Sequence, residues 1–203
     1  MAYATTAQLK TFMGITSSSD DALLADCIAR AQAIVNSYTS RVFESSADTT
    51  RVYTPIVNRA SSGFGIAGDL EDDYTMGLSY DIISVTSITN GDGSNVPLSA
   101  IVILPLNFTP GYSIRIKQAS GYYWTYTGTP EGSVSITGRW GYSLTAPKNI
   151  EQATIRLASQ LYRQRDGSPD LSDVIISADG SQIVNSAMRS DVRQLLNPYR
   201  RRS

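Results

Sequence analysis

The sequence predicts an α+β protein in which a helical bundle body, made of an N-terminal αα-hairpin and C-terminal helices, carries an inserted antiparallel β domain. Apolar residues recur with a helical period near both ends of the 203-residue chain, over 20–38 and 148–165. Between these stretches the helical period disappears, and Tyr, Val, Ile, Thr and Ser dominate with Gly and Pro at intervals. We therefore assign residues 1–45 and 143–203 to the helical body and 46–142 to the β domain.

The N-terminal hairpin is predicted from two helical patterns joined by a short polar loop. Thr5 and Gln8 have capping-box spacing, which predicts a short helix within 3–14. A longer helix is expected over 20–38, where apolar residues follow the i, i+3, i+4, i+7 spacing. Cys27 lies on that apolar face, and we expect it to be a small buried hydrophobe.

The helix predicted over 148–165 has the clearest signal in the chain. Pro147 suits a helix start, because the N–H that proline lacks has no intrahelical partner there. Glu151 near the start and Arg163 near the end oppose the helix dipole favourably. The apolar stripe that should face the core is Ile150, Ala153, Leu157, Ala158 and Leu161. The N-terminal hairpin must bury its apolar face, so we expect it to pack against this helix.

Five or six antiparallel strands are predicted in the middle of the chain. Residues 90–93, Asn-Gly-Asp-Gly, give a strong turn signal, and Asp81 is expected at a strand end. The strands are expected at 51–54, 82–88, 100–104, 112–118 and 133–139.

The C-terminal part is basic, although the whole chain has a net charge of −1. From Lys148 onward nine basic residues stand against six acidic ones, a net charge of +3. A short hairpin over 174–184 and a final helix over 187–196 are expected, followed by the tail Tyr-Arg-Arg-Arg at 199–202. This tail is either a disordered solubility tail or an arm that docks on an acidic surface or on nucleic-acid phosphates, and its place directly after an amphipathic helix favours an arm that orders on binding.

Composition argues against an enzyme. The chain has no histidine, which removes the commonest general base and metal ligand. The Gly-rich stretch 63–68 lacks the lysine of a P-loop, and the single cysteine excludes a disulfide framework. No apolar run reaches the roughly 18 residues that span a bilayer, and there is no signal-peptide pattern. We expect no cofactor and no metal.

Two clusters remain as candidate sites with competing interpretations. Asp69 and the acidic run 71–73 have no EF-hand spacing, so a solvated loop is favoured over a cation site. The aromatic run 122–126, with Trp140 and Tyr142, suits either a stacking platform for sugars or bases or a β-sheet core and a protein contact.

Several motifs in order resemble the head–tail connector (adaptor) proteins of bacteriophages with long non-contractile tails. The N-terminal motifs are AQLKTFMGI at 7–15 and DDALLADCIARAQAIVNSYTSRVF at 20–43. The C-terminal motifs are Gly138-Arg139-Trp140-Gly141, Pro147, Gln152-Ala153, Leu161-Tyr162 with Arg165, and the closing stretch from Asp191 to Arg201. The β domain resembles the family only loosely and is large for a compact member.

The resemblance implies a structural virion protein located at the head–tail interface and assembled in the host cytoplasm. Family members form a ring, usually of twelve copies, beneath the portal protein, extend the DNA channel, and dock stopper or tail proteins. Genomic DNA would pass through the channel without specific binding, and the near-neutral net charge of the chain agrees with this. The resemblance implies no membrane partner. The portal-binding residues implied are Arg189, Arg193, Tyr199, Arg200, Arg201 and Arg202.

A closed ring uses two different faces of each subunit. We hypothesise that one face of the helix over 20–38 meets the exposed side of the helix over 148–165 in the next copy. The interface arginines would be Arg30, Arg156, Arg163 and Arg165.

Two other functions stay open. The chain is alternatively a stopper or tail-completion protein, which differs from an adaptor in its partner; the helical termini favour the adaptor. A carbohydrate- or surface-binding β module is the second alternative, and it would depend on Trp124 and its aromatic neighbours.

Overall fold

The computed structural model describes residues 2–45, 47–55, 74–164, 174–176, 182–184 and 188–201. The chain divides into two compact units. The helical unit contains Met1–Glu44 and Thr145–Ser203, and the β unit is Ser45–Leu144. The fold is therefore mixed α+β, as the sequence predicts.

The helical unit begins with the predicted pair of helices. Helix α1 covers Thr6–Met13; Thr5 and Gln8 form a complete capping box, and Gly14 closes the helix at φ 72°. In this left-handed conformation glycine carries no steric penalty. Helix α2 covers Asp21–Thr39 and buries one face, Leu24, Cys27, Ile28, Ala31, Val35 and Thr39. The single cysteine is thus a buried thiol, as predicted.

Helix α3 covers Lys148–Gln164 and packs against α2, as the matching apolar stripes predict. The Glu151 N–H donates to the Pro147 carbonyl at 3.0 Å, so the helix starts at the proline. Four side chains on its inner face, Ile150, Ala153, Ala158 and Leu157, are at most 4% exposed. Alternation of small and large side chains lets the two helix axes approach closely.

The C-terminal elements complete the helical unit. Strands β6 (Val174–Ile176) and β7 (Gln182–Val184) pair in an antiparallel hairpin, as predicted. Helix α4 covers Ser190–Leu196, and a 3-10 turn continues it over Asn197–Tyr199. On the inner face of α4, Val192 and Leu196 are fully buried.

The described part of the β unit forms a five-stranded sheet with the order β1-β5-β2-β4-β3, and all its pairs are antiparallel. Its strands are β1 (Thr49–Tyr53), β2 (Thr75–Thr89), β3 (Ile101–Leu104), β4 (Gly111–Ile116) and β5 (Val134–Trp140). The core side chains that are at most 1% exposed are Ile82, Ile88, Ile114, Ile116, Val134 and Ile136. The five predicted strands are all present.

Strand β2 is longer than predicted, and the expectation for Asp81 is wrong. Asp81 lies inside β2 and is 5% exposed, and its carbonyl accepts a hydrogen bond from Gly141 N–H at 2.8 Å. Register shifts between Gly77 and Ile82, and again before Ser84, mark bulges in this strand. A bulge changes which face a side chain occupies, so simple alternation fails upstream of the bulge.

Candidate functional site

The predicted portal-binding segment is docked on the helical unit as far as Arg201. The 3-10 turn places Tyr199 edge-on to Phe43, with ring centroids 5.6 Å apart. Phe43 is fully buried and also meets Tyr3 edge-on at 5.8 Å. Three aromatic residues from the start, middle and end of the helical unit therefore form one cluster, which we call the aromatic anchor (Tyr3, Phe43 and Tyr199).

Hydrogen bonds to the Tyr3 hydroxyl hold the aromatic anchor in place. This hydroxyl donates to Asn36 Oδ1 at 2.6 Å and accepts from the Phe43 N–H at 2.8 Å. Burial raises the pKa of Tyr3 above its ordinary value, and this effect outweighs the hydrogen bonds, which lower it. The hydroxyl thus stays neutral and can serve as donor and acceptor at once.

The end of α2 receives the C-terminal segment. A helix leaves its last carbonyls without intrahelical donors, and the Arg201 N–H donates to the Thr39 carbonyl at 2.9 Å. The Tyr38 hydroxyl donates to Asn197 Oδ1 at 2.6 Å, and the Arg200 guanidinium lies 5.3 Å from the centroid of the Tyr38 ring. The segment through Arg201 is therefore already docked in the single chain, so the expectation of an arm that orders only on binding is wrong for these residues.

The predicted portal-binding residues lie on this one segment with different exposures. Arg193 and Arg200 are exposed, whereas Arg189, Tyr199 and Arg201 are partly buried. Arg193 donates to the Met188 carbonyl at 3.1 Å, which leaves most of its guanidinium outward. Arg202 lies outside the described residues.

The predicted interface arginines of α3 line a cationic groove of about 180 Å³ on the helical unit. It is lined by Phe12, Arg156, Ser159, Gln160, Arg163, Arg189 and Asp191. Arg156 reaches Asp191 Oδ2 at 2.5 Å, and Arg189 lies 3.6 Å from the other oxygen of the same carboxylate. Two guanidinium groups therefore hold one carboxylate, Arg163 adds a third positive charge to the lining, and the groove keeps a net positive charge.

Asp191 ties α4 to α3. Partial burial raises the pKa of this carboxyl, but the hydrogen bonds from Arg156 and from the Val192 N–H outweigh burial, so the pKa lies below its ordinary value. Arg156 is thus committed to a contact within the chain, while Arg163 is exposed at the rim. Sequence reasoning did not reveal this difference, because the partner lies 35 residues away.

The two remaining predicted interface residues are placed differently. Arg30 forms an i,i+4 ion pair with Asp26 at 2.7 Å, and its side chain is 70% exposed on the outer face of α2. Such an exposed pair contributes little to stability and leaves the guanidinium accessible. Arg165 lies outside the described residues, as do the acidic run at 69–73 and the Gly-rich stretch 63–68.

The aromatic run 122–126 forms no strand and lies in the connection between β4 and β5. Trp124 is 2% exposed, and its indole N–H donates to the Tyr74 carbonyl at 2.9 Å. Trp140 is also buried, stacks on Tyr53 at 5.8 Å and donates to the Thr49 carbonyl. Both tryptophans therefore belong to the core, and the platform interpretation loses its central residue.

Replacing Trp124 with Phe should destabilise the β unit by about 1–2 kcal/mol, through the lost hydrogen bond and part of the packing. The Tyr74 carbonyl also accepts from the Ile116 N–H, so it keeps one partner and the loss stays moderate. Urea unfolding followed by the fluorescence of the remaining Trp140 measures the change. Tyr123→Phe, at a site 60% exposed, is the matched control and should be neutral. A Trp124→Phe protein as stable as the control would contradict the buried role.

Within the described residues, no group of three or more Cys, Asp or Glu side chains is arranged to hold a metal ion. Over the same part of the chain, no helix has both the length and the apolar character needed to cross a membrane.

Residues 3–61 match the family model described as phage gp6-like head-tail connector protein. The resemblance to head–tail connectors is confirmed. The matched segment includes the end of α2 and Phe43, which receive the C-terminal segment. No curated protein matches the chain.

Two solved structures share the fold across both units. One is a chain from the neck of an empty gene transfer agent particle computed with C6 symmetry, at 15% identity and a TM-score of 0.54. The other is a chain from the virion of a native gene transfer agent particle, at 16% identity and the same TM-score. Each match covers 98% of this chain and 89% of the other chain. At this level of identity the similarity establishes the fold alone.

Proposed function

We propose that this protein is a structural head–tail adaptor of the virion neck, forming a ring beneath the portal that extends the DNA channel and docks stopper or tail proteins. The observation that carries the proposal is the match of residues 3–61 to gp6-like head–tail connectors. The fold shared with a chain of a gene transfer agent neck supports it. The helical unit would be the connector body, and the β unit would be an insertion into it.

A ring of twelve copies agrees with the family resemblance and is compatible with the C6 symmetry used for the similar neck, because twelvefold symmetry contains sixfold symmetry. The chain's net charge of −1 also suits a DNA channel. A strongly basic lumen would retain phosphates through counterion release, whereas a near-neutral one lets DNA pass. The proposed function needs no catalytic residue and no cofactor.

Portal binding is assigned to the docked C-terminal segment, with Arg193 and Arg200 as its main contacts. Both guanidinium groups are exposed and carried on backbone fixed by the aromatic anchor and by the end of α2. Because the segment is already ordered, binding an acidic portal surface costs little conformational entropy. Arg189, Tyr199 and Arg201 would act mainly by holding the segment in place.

Contact between adjacent copies is assigned to the outer face of α2 and the exposed side of α3. Arg30 and Asp26 lie on the first face, and Arg163 lies on the second, at the rim of the cationic groove. An acidic side chain such as Asp26 of one copy is a suitable ligand for a groove with surplus positive charge.

Co-purification with the portal protein of the same genome tests the proposed function. The two proteins should elute as one complex larger than the free portal when their mixture is analysed by size-exclusion chromatography with light scattering. Separate elution at both low and moderate salt would count against portal binding, and stopper and tail proteins would then be tested as the partner.

Reversing the charge at Arg163 should weaken ring formation about tenfold or more, because it replaces attraction by repulsion in the proposed contact. Arg163→Glu is a cleaner test than Arg156→Glu, which also breaks the link to Asp191. Gln164→Glu places the same carboxylate at the next position of the helix, with a charge change of −1 in place of −2, and serves as the control. Sedimentation velocity of the ring measures the effect. Equal assembly of Arg163→Glu and Gln164→Glu would remove α3 from the interface.

A further inference from the structure

The hairpin formed by β3 and β4 exposes large apolar side chains at its tip. In the connecting loop, 105–110, Leu106 is 65% exposed and Phe108 is 59% exposed, and Tyr112 at the start of β4 is 51% exposed. We call these three residues the apolar tip. The chain has no charged residue between Asp92 and Arg115. Isolated apolar side chains are common on surfaces, but a cluster on one uncharged loop marks an interaction site.

The other end of the same hairpin carries a cleft of about 350 Å³. The residues that line it include Pro97, Ser99, Ala100, Lys117, Ala119 and Tyr122. The position of Lys117 is fixed by a hydrogen bond, which its ammonium donates to the Ser99 carbonyl at 2.7 Å. The remaining wall is mostly small or apolar, and the volume lies in the range that accepts a phenylalanine or leucine side chain.

The strand register fixes the two features at opposite ends of the hairpin. Ile101 pairs with Ile116 next to the cleft, and Leu104 pairs with Ser113 next to the tip. The hairpin buries Ile114 and Ile116 in the β-unit core, so the spacing between tip and cleft is rigid. Across four paired residues it amounts to about 13 Å of strand, to which the loop adds more.

An apolar projection and an apolar cleft on opposite ends of one unit form the two halves of a head-to-tail contact. In such a heterologous contact each copy gives one surface and receives the other, and repetition gives a ring when the rotation between copies closes, as it does in the proposed adaptor. We propose that the apolar tip of one copy inserts into the cleft of the adjacent copy, so that the β units also join the ring. This inference rests on the proposed adaptor ring.

A second copy of this chain is the best-matched occupant. The tip carries no charge, the cleft is small or apolar apart from the Lys117 ammonium, and every copy in a ring supplies one tip and one cleft. Three side chains bury far less than the roughly 800 Å² per partner of a stable interface, so the contact adds to the helical one. Its contribution is to set the rotation of one β unit relative to the next.

Thiol cross-linking in the full-length protein tests the contact. Phe108→Cys and Tyr122→Cys in one chain place a thiol on the tip and another at the cleft. A short bis-maleimide linker should then give a ladder of covalent oligomers. Cross-linking should exceed that of a Phe108→Cys/Val52→Cys control at least about tenfold, because only the first pair is held at high effective concentration. Val52 is a suitable control site since it is 62% exposed on β1, and Cys27 is buried in both proteins.

A charged variant gives an independent measurement. Phe108→Lys should weaken ring assembly about tenfold, because it would bring a second ammonium beside Lys117 in a mostly apolar cleft, whereas Val52→Lys should not. A wild-type ring with no excess cross-linking would overturn this contact and leave the adaptor function standing. Cross-links to portal or tail protein in place of a ladder would overturn the second copy as occupant. Absence of any wild-type ring, with portal present, would overturn both.

Discussion

Replacing Arg193 and Arg200 together by glutamine should weaken binding to the portal protein at least about 100-fold. A charge-assisted hydrogen bond contributes about 1.5–3 kcal/mol, so two such bonds account for at least about 3 kcal/mol. Both residues are exposed on a docked segment, and Val192, Leu196 and the aromatic anchor are untouched. Surface plasmon resonance with immobilised portal protein measures the loss.

Salt dependence and a matched variant separate this effect from unfolding. Wild-type affinity should fall as ionic strength rises, while the affinity of the double variant should change less. Lys148→Gln removes a charge from the same unit at a side chain 86% exposed, and should bind like wild type. Point variants are preferable to deleting residues 187–203, since that deletion removes the fully buried Val192 and Leu196. Unchanged affinity of a folded double variant would move portal binding to another surface.

Replacing Phe43 with Ala should destabilise the helical unit by about 3–5 kcal/mol, the range for deleting a fully buried aromatic side chain. Phe43 is 0% exposed and contacts both other residues of the aromatic anchor, so the cavity lies between the N-terminal and C-terminal segments. Urea unfolding followed by far-UV circular dichroism of the helices measures the change. Portal binding should fall as well, because Tyr199 loses its ring contact.

The adjacent position supplies the control. Val42 is 47% exposed, and Val42→Ala should change the free energy of unfolding by less than about 0.5 kcal/mol. Since both tryptophans lie in the β unit, their fluorescence reports on that unit separately. A Phe43→Ala protein whose helices unfold at the same urea concentration as those of Val42→Ala would contradict the anchor.

Local patterns predicted the elements well where a single period extends over several turns. The capping box at Thr5, the apolar face of α2 and the stripe of α3 are each set by residues three or four apart, so the sequence displays them directly. The strands of the β unit were also predicted, except where β2 bends at its bulges and carries Asp81 inside the sheet.

Long-range contacts account for what could not be predicted. Tyr38 and Asn197 are 159 positions apart, and no local period indicates that the Arg201 N–H completes the end of α2. The ion pair between Arg156 and Asp191 could not be predicted for the same reason, so Arg156 and Arg163 had the same predicted role at the interface. In the sequence, the aromatic run around Trp124 fits either a binding platform or a sheet core. The burial of Trp124 and its hydrogen bond to the Tyr74 carbonyl place it in the core.

Negative-stain electron microscopy of the wild-type protein mixed with the portal protein of the same genome tests the adaptor function most directly. The proposal predicts portal particles with a second ring stacked on one face, and the same particles should lack that ring when Arg193 and Arg200 are both glutamine. Portal particles that remain bare with wild-type protein, at low and at moderate salt, would contradict the adaptor function.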